Sequence, residues 1–162
     1  MNESYRPYLI QARSDWRVYG LLTTEPVCHQ LHYLQMCTEK LAKAYFRKRG
    51  VDHGFGHAVF VRFLRTIPGE RGMARSFKFQ GREPFRAWID KSLTLAREIE
   101  LLAPALAGDG PNPEYPWPRD DPREAPAEFD FRLGDDLKQP NGRALLYLIE
   151  TTLTHFESWF QI

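Results

Sequence analysis

Residues 26–57 read PVCHQLHYLQMCTEKLAKAYFRKRGVDHGFGH. In this stretch Val27, Leu31, Leu34, Thr38, Leu41 and Tyr45 recur every three or four positions, the repeat of one face of an α-helix. Gln30, Gln35, Glu39, Lys40 and Lys43 lie mostly off that stripe, so the spacing predicts one core-facing side and one wet side. Pro26 suits a first helical turn, where its missing N–H would have no partner, and Gly50 suits the left-handed residue that closes a helix. The helix should run from about 26 to 49, about 36 Å at about 1.5 Å per residue.

Upstream, Leu9, Ala12, Trp16, Tyr19 and Leu22 give a first helix over about 6–22. The short link through Thr23, Thr24 and Pro26 favours an antiparallel hairpin with the long helix. Downstream, Val59, Phe60, Phe63, Leu64 and Ile67 predict a helix over about 57–67 that Pro68-Gly69 ends. The stretch 69–83 is open: its SFKFQ segment alternates like a strand and is too short to define one. Phe85, Trp88, Ile89, Ser92, Ala96, Ile99, Leu102, Ala103 and Leu106 keep helical spacing over six turns, from Glu83-Pro84 to Gly108. Leu145, Leu148, Ile149, Thr152, Phe156 and Trp159 predict the last helix over about 141–160. The expected fold is all-α: a single domain over 1–162, an up-and-down bundle of about five helices with one long Pro-rich acidic loop at 108–141.

Six prolines precede Phe129 in that loop. Its rings, Tyr115, Trp117, Phe129 and Phe131, argue that it is pinned to the bundle, because disordered segments rarely carry so many large apolar side chains. Asn112, Glu114, Tyr115 and Trp117 mix an amide, a carboxylate and rings, which suits a pocket or partner contact. The plainer reading is a hydrophobic clip over one end of the bundle.

The chain of 162 residues, 43% hydrophobic and 14% aromatic, can bury a core without disulfides or metals. No apolar run approaches the roughly 20 residues needed to span a bilayer, and no basic-then-apolar leader opens the chain. A cytoplasmic protein is expected. Cys28 and Cys37, nine residues apart on one helix and so about 13 Å apart along its axis, cannot bridge each other. They read as reduced, partly buried thiols. His29 and His32 between them lack a second Cys/His pair to complete a closed zinc site, so no metal is expected and no cofactor.

The net charge of +1 conceals an asymmetry. From Lys40 to Lys91 thirteen Lys and Arg face four acids, a balance of +9; from 92 to 136 four Arg face eleven acids, a balance of −7. The basic stretch, with Lys43, Lys48, Arg49, His57, Arg62 and Arg65 as candidate contacts, suits RNA, a nucleotide or another polyanion. The competing reading is that the two segments neutralise each other within the chain or across a dimer.

Gln35, Glu39-Lys40 and Lys43-Ala44, followed by a loop and His57 opening the next helix, resemble the Q-x-x-x-E-K-x-x-K-A pattern of the HEPN superfamily, over about a third of the chain. The resemblance implies a small helical bundle, a homodimer, and a place in bacterial defence or toxin–antitoxin systems, with a nucleotidyltransferase or another protein as partner. It also implies one catalytic option, because HEPN RNases use an Arg-x(4–6)-His motif in which His does acid–base work and Arg holds phosphate charge. Arg47 and His53 satisfy that spacing; the plainer reading is a solvated helix end whose basic residues complement its dipole. Arg143 and His155, with eleven residues between them, do not satisfy it. The expectation is a non-catalytic RNA-, nucleotide- or partner-binding module, with a metal-independent RNase using Arg47 and His53 as the alternative.

Overall fold

The computed structural model describes residues 3–51, 54, 56–118 and 124–161. Among them every regular element is helical: α1 (Arg6–Leu21), α2 (Val27–Lys48), α3 (Phe60–Thr66), α4 (Met73–Ser76), α5 (Arg82–Asp90), α6 (Leu93–Leu101), α7 (Pro104–Ala107), α8 (Leu133–Asp136) and α9 (Pro140–Trp159). The all-α expectation agrees with this architecture; the expected five helices are nine segments. No helix of the described residues is long and apolar enough to cross a membrane.

The hairpin forms as the spacing requires. Lys48 lies over the Tyr5 ring and Lys40 reaches Asp15, so α1 and α2 run antiparallel. Leu31, Leu34, Leu41 and Tyr45 are fully buried, and removing any one of these leucines costs about 2–5 kcal/mol by the usual core scale. Ala44, four residues from both Lys40 and Lys48 on the side of α2 that meets α1, is fully buried, as is Ala12 on α1. Helix α2 begins one residue later than expected, with Pro26 extended as its cap (ψ 137°), and Gly50 closes it with φ +77°.

The wet side of α2 is the first correction. Gln35 and Glu39 are buried, 3% and 9% exposed, because α1 covers one flank and the segment entering α3 covers another. A stripe analysis assumes one neighbour; α2 has several. On α1 the unanticipated buried residue is Asp15, 3% exposed.

The expected long helix from 84 to 107 is three pieces, α5, α6 and α7. Pro104 explains the second break, since it drives Ala103 into an extended conformation (ψ 125°). At the first break Ser92 is buried and its hydroxyl donates to the Asn141 carbonyl (3.2 Å), joining the corner to α9. The corner lets α5 pack on the 3₁₀ turn Ile67–Gly69 while α6 packs on α3 and α2.

The strand-like SFKFQ segment is a turn. Lys78 is left-handed (φ +63°), a conformation that costs a residue with a Cβ about 1–2 kcal/mol, and it carries Phe77 and Phe79 both onto α5. The loop 108–141 holds α8 and the short 3₁₀ turn Pro126–Glu128, and Trp117 pairs with Glu124 through two backbone hydrogen bonds. Trp117, Phe129 and Phe131 pack edge-to-face at 4.8–6.1 Å, with Trp117 and Phe131 buried. At Gly142 a Cβ would stand 2.3 Å from the Leu137 Cα, so only glycine lets α9 turn against the end of α8. Arg13 then ties α1 to α9 through the Leu153 carbonyl (2.8 Å) and Glu157 (2.7 Å).

Candidate functional site

Gln35, Glu39, Lys43 and Arg47 are four residues apart and so stack along one side of α2. Glu39 is the hub. Its Oε2 accepts from Gln35 Nε2 (2.8 Å) and stands 2.8 Å from His57 Nδ1, while Oε1 accepts from Lys43 Nζ (2.5 Å). Burial alone would raise the Glu39 carboxyl, but the hydrogen bonds from Lys43, His57 and Gln35 outweigh it and hold the group below the usual carboxylate range. An ionised carboxylate only accepts hydrogen bonds, so the contact calls for a hydrogen on His57 Nδ1. The His57 side chain is 45% exposed. The result is an imidazole held by a buried carboxylate on one side and open to solution on the other.

A second buried carboxylate braces the same helix. Asp15 accepts from Lys40 Nζ (2.7 Å) and Gln11 Nε2 (2.9 Å). Four residues of the 35–44 pattern, Gln35, Glu39, Lys40 and Lys43, therefore end in hydrogen bonds inside the fold.

Ala58, next to His57, lines the edge of a cleft of about 750 Å³ between α3 and α6. Arg62 and Arg65 from α3 and Arg97 from α6 line it, with Glu98 and Glu100. Arg62 also lies over the Phe46 ring, 4.9 Å from its centre. Glu100, 3% exposed, accepts from the Val61 N–H (2.8 Å) at the start of α3 and from Arg97 (2.9 Å). It satisfies an N–H that has no partner within its own helix and sets one wall of the cleft.

The other expected contacts fall elsewhere. Lys43 is committed to Glu39, Lys48 lies 4.2 Å from the Tyr5 ring centre, and Arg49 pairs with Glu70, which also accepts the Tyr45 hydroxyl. Arg47 is half-buried with its guanidinium over the Tyr8 ring (4.8 Å), a packed rather than solvated helix end. His53, its expected catalytic partner, lies outside the described residues. Of the six expected anion contacts, the structure gathers Arg62 and Arg65 into one cleft; His57 is held by Glu39, and its neighbour Ala58 lines the cleft.

In the proline-rich loop, Asn112 is buried and its Oδ1 accepts from the backbone N–H groups of Glu114 (3.0 Å) and Tyr115 (2.8 Å), shaping the turn. Glu114 stands 3.3 Å from His32 Nδ1, close enough for an ion pair when the ring is protonated but not aligned as a hydrogen bond. Of the four loop residues offered as a contact surface, Tyr115 is the widely exposed ring, at 61%. Asn112 and Trp117 are buried.

Cys28 and Cys37 are both buried free thiols, and burial raises both above the usual thiol range. Among the described residues no group of three or more His, Cys, Asp or Glu converges as metal ligands would. Spacing had no means of marking Asp15 or Glu100, whose partners Lys40 and Val61 are distant in sequence, or of bringing Arg97 into one cleft with Arg62 and Arg65 of another helix. Compared with known proteins, the chain matches no family model, no curated protein and no solved structure.

Proposed function

We propose that this chain is a HEPN-like helical-bundle protein that binds a phosphate-bearing ligand, RNA or a nucleotide, as a non-catalytic module of a bacterial defence or toxin–antitoxin type system. The observation that carries the reading is the cleft between α3 and α6 lined by Arg62, Arg65 and Arg97, with Ala58, the chain neighbour of the carboxylate-held His57, at its edge. Guanidinium groups recognise phosphate through paired N–H donors, and a volume of about 750 Å³ admits a nucleotide. The helical pattern around Gln35, Glu39, Lys40 and Lys43 supports the family. A homodimer and a nucleotidyltransferase or other protein partner follow from that resemblance.

The test is binding of a labelled nucleotide and of RNA to the purified protein and to the Arg62→Ala/Arg65→Ala double variant. Loss of about ten-fold or more in affinity, with a thermal midpoint within a few degrees, supports the cleft. Equal affinity of both proteins sinks it.

The alternative is a metal-independent endoribonuclease, and the Glu39–His57 pair is what favours it. His57 Nε2 would take the proton of a ribose 2′-hydroxyl; that oxygen would bond to the adjacent phosphorus as the bond from phosphorus to the 5′-oxygen breaks, and the leaving 5′-oxygen would take a proton from water. Arg62, on α3, would hold the phosphate charge. RNA degradation lost in His57→Ala but kept in His53→Ala would place the acid–base group at His57. Loss only in His53→Ala would return it to the Arg47/His53 spacing, and no cleavage by the unaltered protein would leave the binding module.

A further inference from the structure

A second surface, remote from the hydrogen bonds of Glu39, combines rings with unpartnered cations. Ring centres follow one another from Phe79 to Trp88 (5.4 Å), Trp88 to Phe77 (5.4 Å), Phe77 to Trp159 (5.5 Å) and Trp159 to His155 (5.2 Å), joining the turn after α4 to α5 and α9. Tyr147 meets Phe77 edge-on at 5.7 Å and is 54% exposed. Phe77, Phe79, Trp88 and Trp159 are each only half-buried; Phe85 alone of this cluster is fully enclosed. On α9 the positions 147, 151, 155 and 159, four residues apart, carry Tyr, Thr, His and Trp and no acid.

Arg75, Lys78, Arg82 and Arg86 belong to the same stretch of chain, and Arg75 shares with Phe79 a cleft of about 550 Å³ bounded by Gly72 and Gly81. Among the described residues none of these four makes an ion pair or a side-chain hydrogen bond, in contrast to Lys40, Lys43, Arg49 and Arg97. The acids of α5, Glu83 and Asp90, leave the stretch 75–90 with a balance of +2.

We propose that this ring-and-cation surface binds a single-stranded polynucleotide, with bases against Phe79, Trp88 and Tyr147 and phosphates beside Arg75, Lys78 and Arg86. Half-exposed rings offer stacking to any unpaired base, whereas a duplex hides its base faces and presents phosphate alone. A second copy of the chain fits less well, because a two-fold contact through this face would set the same four cations against one another. The proposal rests on the reading that the protein binds nucleic acid, at a surface separate from the Arg62/Arg65 cleft.

The test is fluorescence anisotropy with a labelled single-stranded RNA dodecamer, the same length of duplex, and a labelled mononucleotide. The unaltered protein is compared with Tyr147→Ala, with Arg75→Ala/Lys78→Ala/Arg86→Ala and with Arg62→Ala/Arg65→Ala. The expected result is single-strand binding about ten-fold tighter than duplex binding, weakened about five-fold or more by Tyr147→Ala and by the triple variant at unchanged thermal midpoint. Mononucleotide binding should respond to the Arg62/Arg65 change instead. Equal affinity for duplex, or single-strand affinity indifferent to Tyr147 and the three cations, overturns the proposal while leaving the cleft intact. Mononucleotide binding unaffected by Arg62→Ala/Arg65→Ala overturns the cleft while leaving this surface. A dimer in sedimentation that Tyr147→Ala dissolves assigns the face to a second copy and overturns the nucleic-acid occupant.

Discussion

On α2, Lys40 and Lys43 end on carboxylates whose side chains are only 4% and 11% exposed; around α4 and α5, Arg75, Lys78 and Arg86 make no ion pair among the described residues. All five cations count toward the +9 balance of residues 40–91. Their energetics differ in kind. A cation that answers a buried carboxylate completes the fold, because removing either member leaves an uncompensated charge away from water. A cation without a counter-ion contributes little to folding and much to the potential that a polyanion meets. Part of the basic stretch is therefore internal structure, and part is available to a ligand.

The largest break in that contrast is Glu39→Ala. It strands Lys43, His57 and Gln35 together and should destabilise the protein by about 3 kcal/mol, lowering the thermal midpoint by about 6–12 °C. An unchanged melting curve would show that the network is ornamental. Asp15→Asn, which keeps the shape but weakens the hold on Lys40, should cost about 1–3 kcal/mol in urea unfolding.

Acid should act through the same group. Because the folded Glu39 carboxyl is held below the usual carboxylate range, its stabilisation is fully present above that range. It is lost as pH falls through the folded value. Unfolding free energy measured from neutral pH downward should thus fall less in Glu39→Gln than in the unaltered protein. Parallel acid limbs would refute the assignment.

The smallest effect on stability belongs to Arg75→Ala, Lys78→Ala and Arg86→Ala, each expected within about 0.5 kcal/mol of the unaltered protein by thermal melting. A loss above about 1.5 kcal/mol from any of them would erase the contrast, since it would reveal a partner for that cation.

The long helices α1, α2 and α9 were legible to within about two residues because each sustains a helical stripe over several turns. The corner at Ser92 was not, because its cause is a hydrogen bond to Asn141, 49 residues away. The anion candidates divided likewise. Arg62 and Arg65, three apart on α3, could be paired by spacing, but their partner Arg97 comes from another helix. Glu39 looked like a surface carboxylate of a wet face, and only the packing of neighbours around α2 makes it a buried hub.

By itself the sequence determined the helical class, the antiparallel hairpin and the presence of the residues around Glu39. These follow from local rules: residue spacing, and proline and glycine at helix ends. Tertiary structure alone decided which charges are spent inside the fold and which face solution. That decision depends on the neighbours brought against each side chain and the water they exclude, and neither is a property of any stretch of chain read alone.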